Sequence, residues 1–216
     1  MHCADHFRQD DKAALLRHMD AHPLATVTTL VDGQIEANHL PLIWRDDGSP
    51  WGTLVGHISR KDPLSRTLAG SEVLVMFHGP QSYISPNWYA TKAEHGKVVP
   101  TWNHTAVHAR GRWVLHDDPR WILAQLKELT TRHEASQALP WSVDDAPPDF
   151  TDRLIGVLLG IEIPMASLQG KFKLSQNQPP AYQAGVIDGL LQTATGAPVA
   201  RLMQTHSKAA PPSPEK

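Results

Sequence analysis

The chain has 216 residues, of which 41% are hydrophobic and 19% are charged, and this composition excludes a wholly disordered protein. Twenty basic and 22 acidic residues give a formal net charge of −2, which argues against a protein that coats nucleic acid by bulk positive charge. The single cysteine, Cys3, excludes an intramolecular disulfide framework and a cysteine-rich metal site. Because no segment has the ~20 apolar residues of a membrane span and the first residues lack a signal-peptide pattern, we expect a cytoplasmic protein.

Short segments rich in Val, Thr, Ile and Trp predict strands at residues 24–31, 34–44, 51–59, 72–78, 101–115 and 157–163. Amphipathic or capped segments predict helices at residues 10–19, 62–69, 117–134, 150–155 and 182–193, with a last turn at 198–203. The dipeptide Asp32-Gly33 predicts a hairpin between the first two strands. Residues 72–78 are nearly all apolar, so we expect that strand to be buried on both faces.

Two segments do not fit a regular element. Residues 79–99 predict a long irregular loop, and its aromatic residues are typical of a functional or interface segment. From Gln204 the chain is polar and then proline-rich, which predicts a disordered tail over residues 204–216. Residues 1–203 therefore form one predicted domain, mainly β with added helices, and its short strands favour a small closed barrel.

The segment from Gly56 to Pro63 is the clearest candidate site. A strand ends in Ser59, Arg60 and Lys61, and Asp62 with Pro63 then predicts a helix start. Free amides at a helix start, together with two cations, would suit a phosphate. The alternative is an ordinary capped helix with two solvated side chains.

A second candidate is the predicted strand around Asn38, His39 and Leu40. Alternation places Asn38 and Leu40 on one face and His39 with Pro41 on the other. Because Pro41 lacks a ladder donor, this strand is either at an edge, bulged, or turned toward a ligand.

Two further segments carry polar side chains that could meet a ligand. His104 and His108 lie four residues apart, but on a strand they would be about 13 Å apart, so a polar ligand wall is favoured over a metal site. Lys171 and Lys173 alternate with Phe172 and Leu174, which predicts a strand with both lysines on one side. These lysines could approach an anion or a planar ring, or they could be solvated on the surface.

Several ordered motifs together resemble the PaiB family of FMN-binding negative transcriptional regulators. The resemblance covers about residues 5–203, and its motifs lie at residues 37–41, 56–63, 83–89, 99–103, 107–108, 170–177 and 185–187. It implies a split β-barrel of the FMN-binding, pyridoxamine phosphate oxidase-like type. It also implies a homodimer with FMN in the interface. The chain departs from the family pattern at its start, Met1 to Ala4, and at Gln178, where family members often have an arginine.

The motifs and the resemblance together define the predicted FMN-binding residues. They are Asn38, His39, Leu40, His57, Ser59, Arg60, Lys61, Trp102, Asn103, Lys171, Lys173 and Gln176. Arg60 and Lys61 are expected at the phosphate, and Lys171 or Lys173 near the flavin ring or its phosphate. No metal ligand and no catalytic residue are predicted. We expect the dimer because Trp88 and Tyr89 would otherwise leave a monomer with exposed aromatic rings.

The resemblance favours a transcriptional repressor, although the sequence shows no recognition helix. Contact with DNA would therefore need a local basic patch across the dimer or a partner protein. The alternative is a flavin-dependent oxidoreductase acting on a small molecule, in which His39, His57 or His104 could transfer protons. Haem binding is a weaker third hypothesis that the 13 histidines would permit.

Overall fold

The computed structural model describes residues 1–66, 70–90 and 92–209. Its strands are β1 (Arg8–Gln9), β2 (Leu24–Val31), β3 (Gln34–Pro41), β4 (Ile43–Arg45), β5 (Thr53–Ser59), β6 (Glu72–Ile84), β7 (Thr101–Arg112), β8 (Val114–His116) and β9 (Leu158–Lys173). Its α-helices are α1 (Lys12–Ala21), α2 (Lys92–His95), α3 (Pro119–Glu134), α4 (Pro148–Ile155), α5 (Pro180–Leu191) and α6 (Ala197–Ala209). Turns of 3-10 helix lie at Asp5–Phe7, Pro63–Arg66, Pro86–Trp88 and Val143–Asp145. The chain is thus mainly β with added helices, as predicted.

The chain divides into two compact units. The first unit contains residues 1–11, 78–106 and the chain from Gln169, and the second contains residues 12–77 and 107–168. Strands β6, β7 and β9 carry residues of both units. The single domain predicted over residues 1–203 stays a prediction, because this division describes each unit by itself.

In the second unit, the predicted hairpin is confirmed. Strands β2 and β3 pair antiparallel from Leu24↔Pro41 to Val31↔Gln34. The turn residues Asp32 and Gly33 have φ of 52° and 78°, the left-handed conformation that a two-residue hairpin turn requires. Among the described strands, β3 pairs with β2 alone, so the edge position, one of the three alternatives that Pro41 left open, is the one observed.

The strand order is β3-β2-β6-β7-β9-β5-β4, and β1 and β8 also pair with β9. Strand β5 pairs antiparallel with β4 and with β9, from Thr53↔Pro164 to Ser59↔Leu158. The buried core of the second unit includes Val27, Val55, Phe77, Ile161 and Ile163, none of which has accessible surface. The core therefore fixes β5, whose last residue is Ser59.

Three predictions about strands and the tail are wrong. Strand β6 alternates buried and exposed residues and continues to Ile84, so residues 79–84 are not loop. Residues 158–173 form one strand where two were predicted, and Pro164 lies opposite Thr53 at the end of the β5 ladder. Residues 204–209 belong to α6, and the rest of the predicted disordered tail lies outside the described residues.

Most of the predicted helices are present in the structure, with ends shifted by a few residues. Asp118 caps α3, and Pro119 is its first residue. The helix predicted over 62–69 is a single 3-10 turn, Pro63–Arg66, and residues 67–69 lie outside the described part of the chain. None of the described helices is long and apolar enough to cross a membrane.

Candidate functional site

The seven predicted site residues of the second unit lie on two contacting strands and the loop that follows. Asn38, His39 and Leu40 belong to β3, His57 and Ser59 to β5, and Arg60 and Lys61 to the loop after β5. The Asn38 amide donates a short hydrogen bond to Asp62 Oδ2, which joins β3 to this loop. The structure therefore joins Asn38 to the loop after β5, and we call Asn38, Ser59, Arg60, Lys61 and Asp62 the Ser59 cluster.

The free amides expected at the helix start are not free. The Ser59 carbonyl accepts from the Asp62 amide over 3.0 Å, and Ser59 Oγ accepts from the Lys61 amide over 3.2 Å. Asp62 Oδ1 accepts from the Leu64 amide over 2.9 Å. Asp62 is thus the predicted cap, and any anion here would be bound by side chains rather than by these amides.

The Arg60 guanidinium donates hydrogen bonds to two neighbours, the Gly156 carbonyl and the Asp117 carboxylate. Its Nε donates to the carbonyl of Gly156 over 3.0 Å, and its Nη1 donates to Asp117 Oδ2 over 3.1 Å. A second, shorter hydrogen bond joins Nη2 to Asp117 Oδ1. These hydrogen bonds lower the pKa of Asp117 and raise that of Arg60. The result is a cation of fixed direction that is about one-third exposed.

Lys61 and Ser59 are exposed and differ from Arg60 in their pairing. Among the residues that the structure describes, none forms an ion pair or hydrogen bond with the Lys61 ammonium. The Ser59 hydroxyl oxygen, besides accepting from the Lys61 amide, can still donate its proton. Lys61 is thus an uncompensated positive charge, which a phosphate could neutralise.

His57 has a buried partner that the sequence did not indicate. Its Nδ1 lies 2.9 Å from Oε1 of Gln125, which is fully buried on α3. The Gln125 Nε2 has no hydrogen-bond partner among the described residues. The two residues are 68 positions apart, so no local motif could have linked them. The amide holds the imidazole with its other nitrogen, Nε2, available for another contact.

The remaining second-unit residues differ in exposure. His39 is exposed, and its Nδ1 lies 3.0 Å from the Thr26 hydroxyl on β2. Leu40 is buried, as the alternation predicts. Gly56 permits a close approach, because a Cβ there would lie 2.6 Å from Leu42 Cδ2 and 2.9 Å from the Pro41 carbonyl. The glycine in this motif is therefore required by packing.

The five predicted site residues of the first unit each contact different partners. Asn103 is fully buried, and its amide donates to Ser175 Oγ over 2.9 Å. The Lys173 ammonium donates a short hydrogen bond to the Thr101 hydroxyl, whereas the Lys171 ammonium donates to the His2 carbonyl over 3.3 Å. Lys173 and Lys171 thus have different environments although they are two residues apart.

Trp102 and Gln176 also have distinct roles. Trp102 is 53% exposed, and its ring lies edge-on to Tyr83 with centroids 6.2 Å apart. Gln176 closes the end of β9, because its Oε1 accepts from the Leu174 amide over 2.7 Å and its Nε2 donates to the Phe172 carbonyl. Gln176 is therefore a local capping residue in this structure.

A cavity of about 310 Å³ lies within the first unit. Of the predicted residues it is lined by Asn103 and Lys173, together with side chains that the sequence did not single out as one site. The lining residues are Phe7, Tyr89, Lys97, Val98, Val99, Pro100, Thr101, Asn103, Lys173, Ser175, Asn177, Gln178 and Tyr182. Tyr89, Asn103 and Ser175 stood in the quoted motifs, whereas no local signal pointed to Phe7 or Tyr182.

Two aromatic side chains of the motif at residues 83–89, Trp88 and Tyr89, were predicted to be exposed in a monomer, but both pack within the subunit. Tyr89 is 7% exposed, and its ring lies 5.0 Å from that of Tyr182. Trp88 is half-buried, and a Cβ at Gly189 would lie 2.3 Å from the Trp88 ring. The reason given for a dimer is thus wrong for Trp88 and Tyr89, and among the described residues of the first unit the exposed aromatic side chains are Tyr83 and Trp102.

The chain matches a known family and several known proteins. Residues 1–167 match the family described as "Putative FMN-binding domain". An uncharacterized protein of Emericella nidulans is 33% identical over 212 residues, which cover 82% of this chain and 84% of that protein. The protease synthase and sporulation protein PAI 2 of Bacillus subtilis is 28% identical over 191 residues, 88% of this chain and 89% of that protein.

Two solved structures share the fold. The FAD and heme binding protein from Mycobacterium smegmatis has a TM-score of 0.55 at 16% identity and covers 77% of this chain and 73% of its own. The flavocytochrome Anf3 from Azotobacter vinelandii has a TM-score of 0.55 at 15% identity, with coverages of 77% and 69%. The predicted split-barrel fold is confirmed by this likeness. With the family match over more than three-quarters of the sequence, the chain belongs to the PaiB-like FMN-binding family.

Proposed function

We propose that this chain is a cytoplasmic, FMN-binding homodimer that acts as a negative transcriptional regulator, with the FMN phosphate bound at the Ser59 cluster. The observation that carries the cofactor site is the exposed Lys61 ammonium, which has no partner in the described part of the chain, on the same loop as Ser59 and the oriented Arg60 guanidinium. Family membership supplies the identity of the cofactor.

The donor set of the Ser59 cluster fits a phosphate. A phosphate monoester carries nearly two negative charges at neutral pH and needs cationic donors when it leaves water. Arg60 offers a guanidinium whose direction is set by Asp117 and Gly156, and Lys61 adds a mobile charge. The phosphate would share the Arg60 guanidinium with Asp117.

The second-unit residues around this loop would orient the rest of the cofactor. Asn38 is held by Asp62, and the His57 imidazole is held by Gln125. FMN, when bound, supplies one- and two-electron redox chemistry. In this proposal, Arg60 and Lys61 fix the phosphate. The His57 Nε2 and the Asn38 amide offer polar contacts to the rest of the cofactor.

The proposal of a regulator is supported by the similarity to the Bacillus subtilis sporulation protein over nearly the whole chain. A net charge of −2 leaves no general attraction to DNA. We therefore propose that contact with DNA requires the assembled dimer or a partner protein.

The proposal of a homodimer is supported by exposed apolar side chains of the first unit. Tyr83 is 46% exposed, Trp102 53% and Val99 73%. Aromatic residues of this size are enriched at protein interfaces. We propose that Tyr83 and Trp102 lie in the dimer interface. A separate part of the proposal, which follows from the family resemblance, is that FMN lies at a subunit interface.

FMN titration of three proteins tests the phosphate site. We expect Lys61→Ala to weaken FMN binding by about 10- to 150-fold, since one charge-assisted contact is lost. Lys127→Ala is the matched control, because Lys127 is a surface lysine paired with Asp144 outside the cluster. Riboflavin lacks the phosphate and should bind both variants as it binds the wild type. Unchanged FMN affinity in Lys61→Ala would overturn the phosphate assignment.

The visible spectrum separates the functional alternatives. For a regulator we expect a flavin spectrum that NADPH does not bleach within seconds under anaerobic conditions, together with enrichment of specific duplexes from a random-sequence DNA pool. Rapid bleaching without DNA enrichment would favour the flavin-dependent oxidoreductase and contradict the proposal. A Soret band in the purified protein would favour haem binding instead.

A further inference from the structure

The cavity of the first unit has a cationic side chain, Lys173, in its wall. The Lys173 ammonium donates to the neutral Thr101 hydroxyl and lies 5.9 Å from the centre of the Phe7 ring. None of the described residues that line the cavity is Asp or Glu. A partly buried ammonium is normally paired with a carboxylate, so this wall is suited to an anion.

The pKa of Lys173 is consistent with an ammonium that lacks a nearby carboxylate among the described residues. Burial, and secondarily the charge of Lys171, lowers the pKa of Lys173 below its ordinary value. Lys97 adds a second cation to the lining. A bound anion would raise the pKa of Lys173 again, because it stabilises the protonated form.

Aromatic rings form another part of the lining. Tyr89 and Tyr182 lie with centroids 5.0 Å apart at an interplanar angle of 38°, and Phe7 lies below the Lys173 ammonium. Burial raises the pKa of the Tyr89 hydroxyl, so that hydroxyl is neutral at physiological pH. These rings are suited to pack against a flat, apolar ligand body.

A rigid polar pair completes the lining. Asn103 and Ser175 are 0% and 3% exposed, and they are hydrogen-bonded to each other at 2.9 Å. Asn103 is also in contact with the sulfur of Met203 on α6. The polar end of the cavity is thus preformed, as is usual for small-molecule sites.

We propose that this cavity is a binding site for a small aromatic carboxylate, with the carboxylate at Lys173 and the ring against Tyr89 and Tyr182. The volume of about 310 Å³ is at the lower end of the range for small-molecule sites. The site would serve a ligand other than FMN, so the proposal departs from the sequence-based prediction that Asn103 and Lys173 bind FMN, and it does not depend on the phosphate site proposed above.

The test uses 4-hydroxybenzoate as the probe, with 4-hydroxybenzamide as a neutral analogue of the same shape. We expect the carboxylate to bind about tenfold or more tightly than the amide, measured by calorimetry with the full chain. Equal binding of the two probes, or binding of neither at millimolar concentration, would overturn the proposal. This comparison needs no variant and therefore does not depend on the folding of a mutant.

A surface lysine of the second unit gives a matched control. Lys173→Met should weaken 4-hydroxybenzoate binding by about 10- to 150-fold, whereas Lys127→Met should leave it unchanged, because the Lys127 ammonium pairs with Asp144 and does not line the cavity. Lys173→Arg keeps the charge and should retain binding to within about tenfold. Equal losses in the two methionine variants would overturn the proposal.

Competition with FMN tests whether this cavity and the cofactor site are different sites. We expect saturating FMN to leave the affinity for 4-hydroxybenzoate unchanged, and Lys61→Ala to affect FMN alone. Displacement of the probe by FMN would overturn the proposal and assign the cavity to the flavin, whatever the result for the Ser59 cluster.

Discussion

The guanidinium of Arg60 and the carboxylate of Asp117 form a two-bonded ion pair at the end of β5, with Nη1 and Oδ2 3.1 Å apart. Asp117 directly precedes the N-cap of α3. The pair therefore fixes the direction of a cation whose carboxylate partner the sequence alone did not indicate. It also places a negative charge next to the proposed phosphate site.

We predict that Asp117→Asn tightens FMN binding by about fivefold, because it removes a carboxylate that competes with the phosphate for the same guanidinium. Equilibrium titration followed by flavin fluorescence measures the effect. Asp149→Asn is the control, since Asp149 pairs with Arg153 on α4. A tenfold loss of affinity in Asp117→Asn would show instead that the ion pair must hold Arg60 for the phosphate.

We predict that Trp102→Ser weakens dimerisation while the isolated subunit remains folded. The Trp102 ring is 53% exposed and contacts Tyr83 only edge-on, so its removal leaves little cavity within the subunit. Sedimentation over a range of concentrations should show a shift toward the ~24 kDa species. If the wild type itself sediments as that species at micromolar concentration, the proposed dimer is wrong.

How far these sites could be predicted depends on how local their contacts are. The cap at Asp62 and the turn at Asp32-Gly33 are set by neighbours in sequence, and both were predicted. The His57–Gln125 contact joins residues 68 positions apart, and the cavity joins Phe7 to Tyr182. Such pairs depend on strand order and helix packing, which hydrophobic periodicity does not specify.

The same distinction explains the error in β9. Periodicity correctly indicated strand character on both sides of Pro164, but the sequence could not show that the β5 ladder ends at that residue. The predicted strand ended at Ile163, whereas in the structure β9 continues through Pro164, which lies opposite Thr53 at the end of the β5 ladder.

We predict that acid weakens the turn before β5 through Asp47. Hydrogen bonds from Ser49 and Thr53 lower the pKa of Asp47 from 3.8 to about 2. Because the folded-state pKa is the lower one, the stabilisation is complete above about pH 4 and is lost as the pH falls toward 2. Asp47→Asn should therefore flatten the fall in the free energy of unfolding between pH 4 and 2. A parallel pH profile in this variant would contradict the assignment.

We predict that Gly160→Ala destabilises the second unit by about 1–3 kcal/mol. Its Cβ would lie 2.2 Å from Cζ3 of Trp121, whose ring is stacked on His116 with centroids 4.1 Å apart. Gly156→Ala is the control, because its nearest contact would be 3.4 Å and its φ is −59°. Urea unfolding should place the control within about 0.5 kcal/mol of wild type. Equal midpoints for the two variants would show that Trp121 can move away.

We predict that Asn103 and Ser175 are energetically coupled. Each single alanine variant leaves a buried polar partner unsatisfied and should cost about 1–3 kcal/mol. The double variant should cost less than the sum of the two, since both polar groups are then gone. A double-mutant cycle on the free energy of unfolding measures the difference. Strict additivity would mean that the 2.9 Å contact contributes no coupling.

The register between β5 and β9 has a consequence for the order of events during synthesis. Residues 53–59 emerge early from the ribosome, yet their ladder partners are residues 158–164. Until those partners are available, the strand that ends at Ser59 has an unpaired edge, and closing so long a loop is slow. Loading of a phosphate-bearing cofactor at the proposed Ser59 site would then follow the emergence of Leu158–Pro164, which begin the last quarter or so of the chain. Nascent chains that stop short of Leu158 would be prone to associate through that edge.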